Sequence, residues 1–426
     1  MTFAYPWPPS LVAGKALRLF VSSTDRHVAI RIVCVSGPSV WSTTLTVPGD
    51  DAPSGAPDSR WEWPARDIPI PETATPGAYL AFHDADDGRG APPVDARSAA
   101  ALFVVRPRSA EAKIGYVLPL FTYHAYTVAT HDPGNGSDAG QGLYTGARAV
   151  TLARPGGGIG AHIWDEANVD VYDLRSRRQT YAHWDAKALD WLRRRNVAAE
   201  VLTDWEIHTG TASLSDYRLL LFFGHHEYWS DAMRMAVTRF IEAGGNVAFF
   251  CGNTCWFRIA YDPIARSIRR LGRWVDLPED GLTGLSYAFG GAKWIGERPA
   301  TGYVVHAPEH WIFDGCGFIR GDAFGSESRL AGYECDGLAG DPSARGVPAT
   351  IERLAEADLS TWDVGDGSGE LSATARSTMV AYERGGTVVN CGTADWARLL
   401  DVDATVQRIT ENVLVRLGER NRTLFG

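Results

Sequence analysis

An uninterrupted apolar run, residues 219–223 (LLLFF), constrains the fold of this chain more than any other feature. Gly224 ends the run, and residues 230–243 have helical periodicity. A strand that ends in glycine and passes directly into a capped helix is where open α/β sheets place their ligands. The polar segment between the two elements, residues 224–230 (GHHEYWS), is therefore a candidate site at the end of a strand.

Length and charge limit the classes of protein to which the chain can belong. Its 426 residues, 45% of them hydrophobic, are enough for two or three globular domains with sizeable cores. The formal net charge of −10 argues against a nucleic-acid partner, which requires a clustered basic face. The densest basic runs, residues 175–178 and 193–195, are short and typical of solvated helix faces.

The sequence also predicts a cytoplasmic protein. No apolar segment approaches the roughly 20 residues of a membrane span, and the N-terminus lacks the pattern of a signal peptide. Six cysteines in a chain of this length are too few for a disulfide scaffold, which agrees with a reducing compartment.

The sequence pattern changes near residue 108. Before that point, short β-rich runs separated by Pro/Gly/Asp-rich turns predict an all-β sandwich over residues 1–108. After it, apolar strands alternate with amphipathic helices, which predicts an α/β domain with a mostly parallel sheet over residues 109–426. The runs at 114–118, 199–202, 219–223 and 246–251 are its expected strands, and 185–195, 230–243 and 404–417 its expected helices.

Two stretches depart from that alternation. Residues 272–377 are rich in Gly, Pro and Asp and are interpreted as a β-rich, loop-heavy insertion. Residues 378–384 and 386–391 are interpreted as a strand pair or as a strand at the sheet edge.

His225, His226 and Glu227 form the main candidate cluster. In an extended segment His225 and Glu227 point to one side and His226 to the other, so the first two can share a cavity. Three interpretations stay open: a general base beside a carboxylate, a metal ligand with its supporting partner, and a buried hydrogen-bonded pair.

Three tyrosines follow the first strand of the α/β domain: Tyr123, Tyr126 and Tyr144. From spacing alone, half-buried aromatic packing with the hydroxyls at the rim is the favoured interpretation. Nearby glycines at 156–160 lack the Lys-Ser/Thr end of a phosphate loop and are not interpreted as one.

Two further segments follow apolar strands. Asn253 is a candidate polar contact at the sheet edge, whereas Cys251 is favoured as a small buried hydrophobe over a nucleophile. Asp395 could cap a short helix or line the same crevice as His225 and Glu227.

Taken in order, these motifs resemble the large subunit of N,N-dimethylformamidase and its relatives. The matching segments, which span most of residues 114–417, are 122–126 (TYHAY), 142–144 (GLY), 224–230 (GHHEYWS), 243–246 (AGGN), 252–256 (GNTCW) and 392–396 (GTADW). The resemblance implies a flavodoxin-like core of class I glutamine-amidotransferase topology, without the cysteine triad, preceded by an immunoglobulin-like sandwich.

The resemblance also implies a single ferric ion held by two tyrosinates and a glutamate. Carried over, the glutamate is Glu227 and the histidine two residues before it is His225, the proton acceptor. Tyr144 corresponds to one tyrosine ligand. Tyr123 is expected to be the other, with Tyr126 as the competitor. Hard anionic oxygens suit ferric iron, and three protein ligands leave positions for water and a substrate carbonyl.

Three functions follow as hypotheses. The first is a metal-dependent hydrolase of a C–N amide bond in a small molecule, with Tyr126, Tyr228, Asn253 and Asp395 contacting the substrate and either homo-oligomers or a small partner subunit. The second is a non-catalytic binding protein whose β-sandwich recognises a carbohydrate or a protein, which the 15 tryptophans would suit. The third is a metal-free hydrolase that uses Cys251 or the pair of His225 and Glu227.

Overall fold

The computed structural model describes residues 2–35, 37, 40–47, 61–83, 99–127, 142–144, 146–160, 169–362 and 374–418. Of these residues, 39% are in strands and 19% in helices. Within the described ranges, none of the helices has the length and hydropathy of a bilayer-spanning segment.

The N-terminal strands form two facing sheets. Their orders are β1-β3-β6 and β2-β8-β7-β4-β5. Alternate residues of both sheets meet in one core, which includes Leu19 and Ile30, whereas Leu80 and Leu102 on the other face of the larger sheet pack against the rest of the chain. The strands are β1 Thr2–Pro6, β2 Ser10–Val12, β3 Ala16–Ser23, β4 His27–Cys34, β5 Val40–Thr46, β6 Ala65–Pro69, β7 Gly77–His83 and β8 Ala101–Arg106.

The remaining described strands belong mainly to one large sheet, of order β13-β9-β14-β16-β25-β24-β23-β20-β21. A second sheet, β10-β18-β17-β15, and the pairs β11-β12 and β19-β22 lie beside it. The strands are β9 Ile114–Leu118, β10 Val150–Thr151, β11 Val169–Asp170, β12 Asp173–Arg177, β13 Ala199–Thr203, β14 Leu219–His225, β15 Tyr228–Ser230, β16 Asn246–Gly252, β17 Phe257–Asp262, β18 Ser267–Arg273, β19 Ser286–Lys293, β20 Tyr303–Val305, β21 Ala323–Phe324, β22 Tyr333–Gly337, β23 Glu352–Asp358, β24 Arg376–Arg384 and β25 Gly386–Asn390.

Short helices cover the large sheet. They are α1 Leu120–Tyr126, α2 Asp185–Arg194, α3 Asp204–Thr209, α4 Asp231–Glu242, α5 Asp280–Thr283, α6 Trp396–Leu399 and α7 Ala404–Val413. Single 3-10 turns occupy Leu214–Asp216, Trp311–Phe313 and Ser343–Arg345, and a π-helical turn occupies Leu414–Gly418.

The apolar run at residues 219–223 forms most of β14. The strand pairs in parallel with β9 and β16, and all seven of its residues are buried. Leu219, Leu221 and Phe223 enter the core on one face of the sheet, while Leu220 and Phe222 enter the core on the other. Burial on both faces is why the run contains no polar residue.

The predicted capped helix after this strand is confirmed as α4, although the short strand β15 lies between the two elements. Ser230 is the N-cap of α4, and its hydroxyl accepts a hydrogen bond from the backbone N–H of Met233 at 3.2 Å. The helix buries Val237, Phe240 and Ile241 against the sheet.

The prediction of a mostly parallel, flavodoxin-like α/β fold of amidotransferase topology is wrong. Strand residues are twice as frequent as helical ones, and most sheets are mixed or antiparallel. In the large sheet, β13, β9, β14, β16 and β25 are parallel, but the four pairings from β25 to β21 are antiparallel. Gly385, with a φ of 80°, is the single residue between β24 and β25, too short a connection for the crossover that a parallel pair requires.

The stretch interpreted as an insertion supplies part of this antiparallel half. Strands β20, β21 and β23, from within residues 272–377, extend the large sheet, while residues 363–373 lie outside the described ranges. The predicted division at residue 108 falls in the connection between β8 and β9, and the two-domain organisation stays a prediction.

Candidate functional site

Five polar side chains converge at the carboxyl end of β14: Tyr126, His225, Glu227, Asn253 and Glu334. They are called the Glu227 site below. Helix α1, the end of β14, the turn after β16 and strand β22 supply them. All five residues are buried, with relative exposures of 6% or less.

Glu227 is held through both oxygens of its carboxylate. The hydroxyl of Tyr126 donates to Oε2 at 2.7 Å, and the amide of Asn253 donates to Oε1 at 3.2 Å. Burial raises the pKa of Glu227 to about 7, against the opposing effects of His225, Tyr126 and Asn253. A cation bound beside Glu227 would stabilise the ionised form of its carboxylate.

His225 has partners at both ring nitrogens. Nδ1 lies 2.6 Å from Oε1 of Gln179, whose own amide donates to the hydroxyl of Tyr333 at 2.9 Å, and Nε2 lies 2.5 Å from Oε2 of Glu334. Burial alone would lower the pKa of His225, but the carboxylates of Glu334 and Glu227 raise it above its usual value. The ring is thus fixed in orientation and disposed to hold a proton.

Asn253 links the two carboxylates of the site. Its amide nitrogen lies 3.2 Å from Glu227 Oε1 and 3.4 Å from Glu334 Oε2. Its backbone is left-handed, with φ of 52°, a conformation that Asn tolerates better than most residues. Asp336 stabilises this turn by accepting the backbone N–H groups of Asn253 and Thr254 at 2.8 and 3.1 Å.

Helix α1 also fixes the backbone at Glu227. The hydroxyl oxygen of Thr122 accepts the N–H groups of Glu227 and Tyr228 at 3.1 and 3.2 Å. Thr122 and Tyr126 are four residues apart and therefore lie on one face of the helix.

The two tyrosines that competed for one role lie in different surroundings. Tyr126 contacts Glu227, whereas the hydroxyl of Tyr123 donates to Asp185, which also accepts the hydroxyl of Tyr116 at 2.7 Å. Tyr123 is therefore turned away from the Glu227 site, contrary to the expectation that placed it beside Glu227.

Tyr144 lies at the rim of the Glu227 site. Its ring stacks on that of Tyr126 with centroids 5.0 Å apart, and 56% of the residue is exposed. Tyr228, buried to 1% exposure, meets the same Tyr126 ring edge to face at 6.1 Å. Tyr126 is thus the aromatic centre of the site.

His226 and Cys251 lie outside the Glu227 site. The ring of His226 packs edge to face on Phe222 at 5.0 Å, and burial lowers its pKa to about 3. Cys251 is fully buried beside Thr254, and burial raises its pKa well above the usual value, which does not favour a thiolate nucleophile.

Asp395 belongs to a separate cluster of buried charges, called the Asp170 network: Asp170, Arg178, His183, Arg298 and Asp395. Ligand atoms of Asp170, His183 and Asp395 lie within 4.8 Å of one another, so these three could hold a metal ion. Arg298 Nη2, however, already lies 3.1 Å from Asp170 Oδ2 and 2.9 Å from Asp395 Oδ2. The expectation that Asp395 contacts the substrate near Glu227 finds no support in this placement.

The charges of the Asp170 network balance within the protein. Burial alone would raise the pKa of Asp170, but His183, Arg298 and Arg178 hold it well below its usual range. An additional cation would have to displace Arg298 from between the two carboxylates.

Sequence reasoning missed Gln179 and Glu334. Glu334 lies in the segment 333–336 (YECD) of the stretch interpreted as an insertion. There Glu334 and Asp336 share one face of β22, and both contact Asn253. The two-residue alternation that pairs His225 with Glu227 also pairs Glu334 with Asp336. Nothing in the sequence indicates, however, that β22 lies beside β16.

Comparisons with known proteins point to one family. The family model described as N,N-dimethylformamidase beta subunit-like, C-terminal, matches residues 33–411. Comparison with curated proteins gave no match. A solved structure titled "mmIFT52 N-terminal domain" aligns with 54% of this chain and 89% of its own, at 15% identity and a TM-score of 0.31, which is too low to indicate a shared fold.

Proposed function

This chain belongs to the N,N-dimethylformamidase beta subunit-like, C-terminal family, and we propose on that basis that it hydrolyses a C–N amide bond of a small molecule at the Glu227 site. The observation that carries the proposal is the hydrogen bond from the phenol of Tyr126 to the buried carboxylate of Glu227. A phenol and a carboxylate brought together in a buried site are oxygen donors of the kind that hard cations prefer.

The donor set fits a mononuclear ferric ion. Tyr126, Tyr144 and Glu227 would hold it, since the Tyr144 ring is stacked on Tyr126 at the rim of the site. Tyr126 takes the role expected of Tyr123, because the hydroxyl of Tyr123 is engaged by Asp185. When bound, such an ion would polarise the amide carbonyl and lower the pKa of a bound water.

His225 and Glu334 would accept the proton of the attacking water and later donate it to the leaving nitrogen. Nδ1 of His225 faces the side-chain amide oxygen of Gln179, which can only accept a hydrogen bond, so Nδ1 carries a hydrogen. Nε2 is therefore the nitrogen that exchanges a proton. Nε2 faces Glu334, so the pair can hold a proton taken from the attacking water. During hydrolysis the water oxygen adds to the carbonyl carbon, the C–N bond breaks, and the pair returns the proton to the leaving nitrogen.

Asn253 would act as a positioning residue. By donating to Glu227 and Glu334 together, its amide fixes the distance between the proposed metal ligand and the proposed proton-holding pair. A contact between Asn253 and the substrate itself, expected from the sequence, stays a prediction.

The non-catalytic alternative has less support. Stacking on a carbohydrate needs exposed aromatic rings, and every tryptophan in the described part of the chain is buried or half-buried. Trp61 and Trp63, in the segment just before β6, are each 3% exposed.

The family's description as a beta subunit supports a partner subunit for this chain. We expect the protein purified from its native cells to have a larger mass, by light scattering, than the chain expressed alone. Equal masses that match a single chain would contradict a partner and a homo-oligomer alike.

Elemental analysis and visible absorption spectroscopy test the proposal together. The protein, expressed in iron-replete medium, should contain about one iron per chain and show a tyrosinate-to-iron charge-transfer band. Tyr126→Phe should weaken or shift the band and abolish release of amine from a panel of small formamides and acetamides. Tyr123→Phe is the matched control, because it removes a phenol from the same helix without touching Glu227, and should keep the band. A protein with amidase activity but no transition metal would overturn the metal assignment.

A further inference from the structure

Arg154 is a buried arginine whose charge is not neutralised by any described residue. It has 0% relative exposure, and its Nε, Nη1 and Nη2 atoms have no hydrogen-bond partner within the described ranges. The other buried arginines differ, since each contacts a ring, a carbonyl or a carboxylate: Arg31, Arg178, Arg234 and Arg298. Burial lowers the pKa of Arg154 to about 10, and no carboxylate opposes the effect.

A second unpartnered polar group lies beside it. His124 is 1% exposed, and its Nδ1 has no hydrogen-bond partner among the described residues. The glycine-rich segment 156–160, which follows Arg154 directly, packs against the His124 ring. A neutral imidazole can present an N–H at Nδ1, so both groups can act as donors.

The glycine-rich segment after Arg154 runs between the His124 ring and the N-terminal sheets. Gly158 has a φ of 95°, and a Cβ added there would lie 3.3 Å from Nε2 of His124. Gly156 joins the segment to the N-terminal sheets, because its N–H donates to the carbonyl of Ala4 at 2.8 Å and its carbonyl accepts the N–H of Leu102 at 3.0 Å. The segment that follows Arg154 therefore lies where the N-terminal sheets meet α1.

We propose that Arg154 and His124 bind a small monovalent anion, either a carboxylate such as formate or a halide. A single guanidinium without a counter-charge is neutralised by one negative charge, and a buried unpaired charge is strongly unfavourable. The forked N–H groups of arginine match the two oxygens of a carboxylate, and a halide can accept from the same groups.

This anion site is separate from the Glu227 site. His124 and Tyr126 are two residues apart on α1 and so point to nearly opposite sides of the helix. The site binds an anion through two donors, whereas the Glu227 site brings two carboxylates together. Failure of the amidase proposal would leave the anion proposal intact.

Thermal unfolding at constant ionic strength tests it. The full-length protein is first dialysed into a buffer whose only anion is a large sulfonate, and sodium formate or sodium chloride then replaces that anion stepwise. Above the Kd, each tenfold increase in formate or chloride should raise Tm by about 2 °C. A rise with formate alone assigns a carboxylate site, and a rise with both assigns a site for any small monoanion.

Arg154→Met is the diagnostic variant. Since it removes an unpaired buried charge, it should be at least as stable as the wild type in the sulfonate buffer and should show no response to either anion. Arg106→Met is the matched control: Arg106 is also largely buried but paired with Glu206 at 3.1 Å, so this variant should be destabilised and keep the anion response.

Diffraction from crystals soaked in bromide gives a readout that does not depend on any variant. An anomalous peak within hydrogen-bond distance of Arg154 is expected. The proposal is overturned by a wild-type Tm that does not respond to formate or chloride, by an equal response in Arg154→Met, or by bromide sites that exclude Arg154.

Discussion

The hydroxyl of Tyr126 donates to Oε2 of Glu227 at 2.7 Å, although 101 positions separate the two residues in sequence. One turn earlier on the same helix, Thr122 accepts the backbone N–H of Glu227 at 3.1 Å. Helix α1 therefore fixes both the backbone and the carboxylate of Glu227. Substitutions in α1 or in the segment after β14 should both change the geometry of the Glu227 site.

Substitution of Asn253 should separate its backbone role from its side-chain role. Asn253→Ala and Asn253→Gly both remove the amide that joins Glu227 and Glu334, so both should lose most of the amidase activity. At a φ of 52°, however, alanine is strained and glycine is not. Urea unfolding should find Asn253→Ala less stable than Asn253→Gly by about 1 kcal/mol. Equal stabilities would show that the turn relaxes without cost.

Glu334→Gln should lower kcat by about 10- to 100-fold, the usual effect of removing a residue that orients a functional histidine. The amide keeps the size of the side chain but cannot balance a charge on His225. Steady-state assays measure the effect, with Glu352→Gln, a change at an exposed glutamate, as the control. A variant with wild-type kcat would remove Glu334 from the proposed proton-holding pair.

Asp185 should make stability fall as pH rises. Burial raises its pKa to about 7 in the folded protein, from 3.8 as the ordinary value. Between pH 4 and 7 the folded state holds a proton that the unfolded state has released, so the contribution present below pH 4 is lost at about 1.4 kcal/mol per pH unit. Asp185→Asn cannot ionise and should show a shallower decline of urea midpoints from pH 5 to 7.5. Because Glu227 and Asp336 also have raised pKa values, the decline should not vanish. Parallel curves for the two proteins would contradict the assignment.

Metal analysis should distinguish the two clusters that could hold a cation. Glu227→Gln should lose the metal, whereas His183→Asn should retain it, because Arg298 already bridges Asp170 and Asp395. Iron and zinc contents of the folded fractions, measured by mass spectrometry, give the answer. The opposite pattern would move the metal site to the Asp170 network.

Local patterns in the sequence predicted the pieces around the site well. The apolar run 219–223 is a strand buried on both faces, and Ser230 caps α4. Two-residue alternation pairs His225 with Glu227, and in the structure Glu334 and Asn253 link these two residues. His226 packs instead on Phe222. Each of these inferences depends on neighbouring residues alone, where periodicity and capping carry the information.

Long-range features could not be predicted in the same way. The choice between Tyr123 and Tyr126 depends on the helical rotation of α1, because residues three apart can still face different partners, here Asp185 and Glu227. Glu334 reaches His225 only because β22 crosses the end of β16. The strand pair expected at residues 378–384 and 386–391 is β24 and β25, but the pattern of these strands does not encode that β23, β20 and β21 continue the large sheet beyond them.

Helix α1 sets a limit on how relatives of this protein can diverge in length. Its seven residues are all buried, and they direct Tyr126, Tyr123 and His124 toward three different surroundings. Insertion or deletion of one residue in α1 would rotate the helix residues that follow it by about 100°. All three side chains would then lose their present surroundings at once. Length changes in evolution should therefore accumulate in the connections on either side of α1, while the helix itself changes only by substitution.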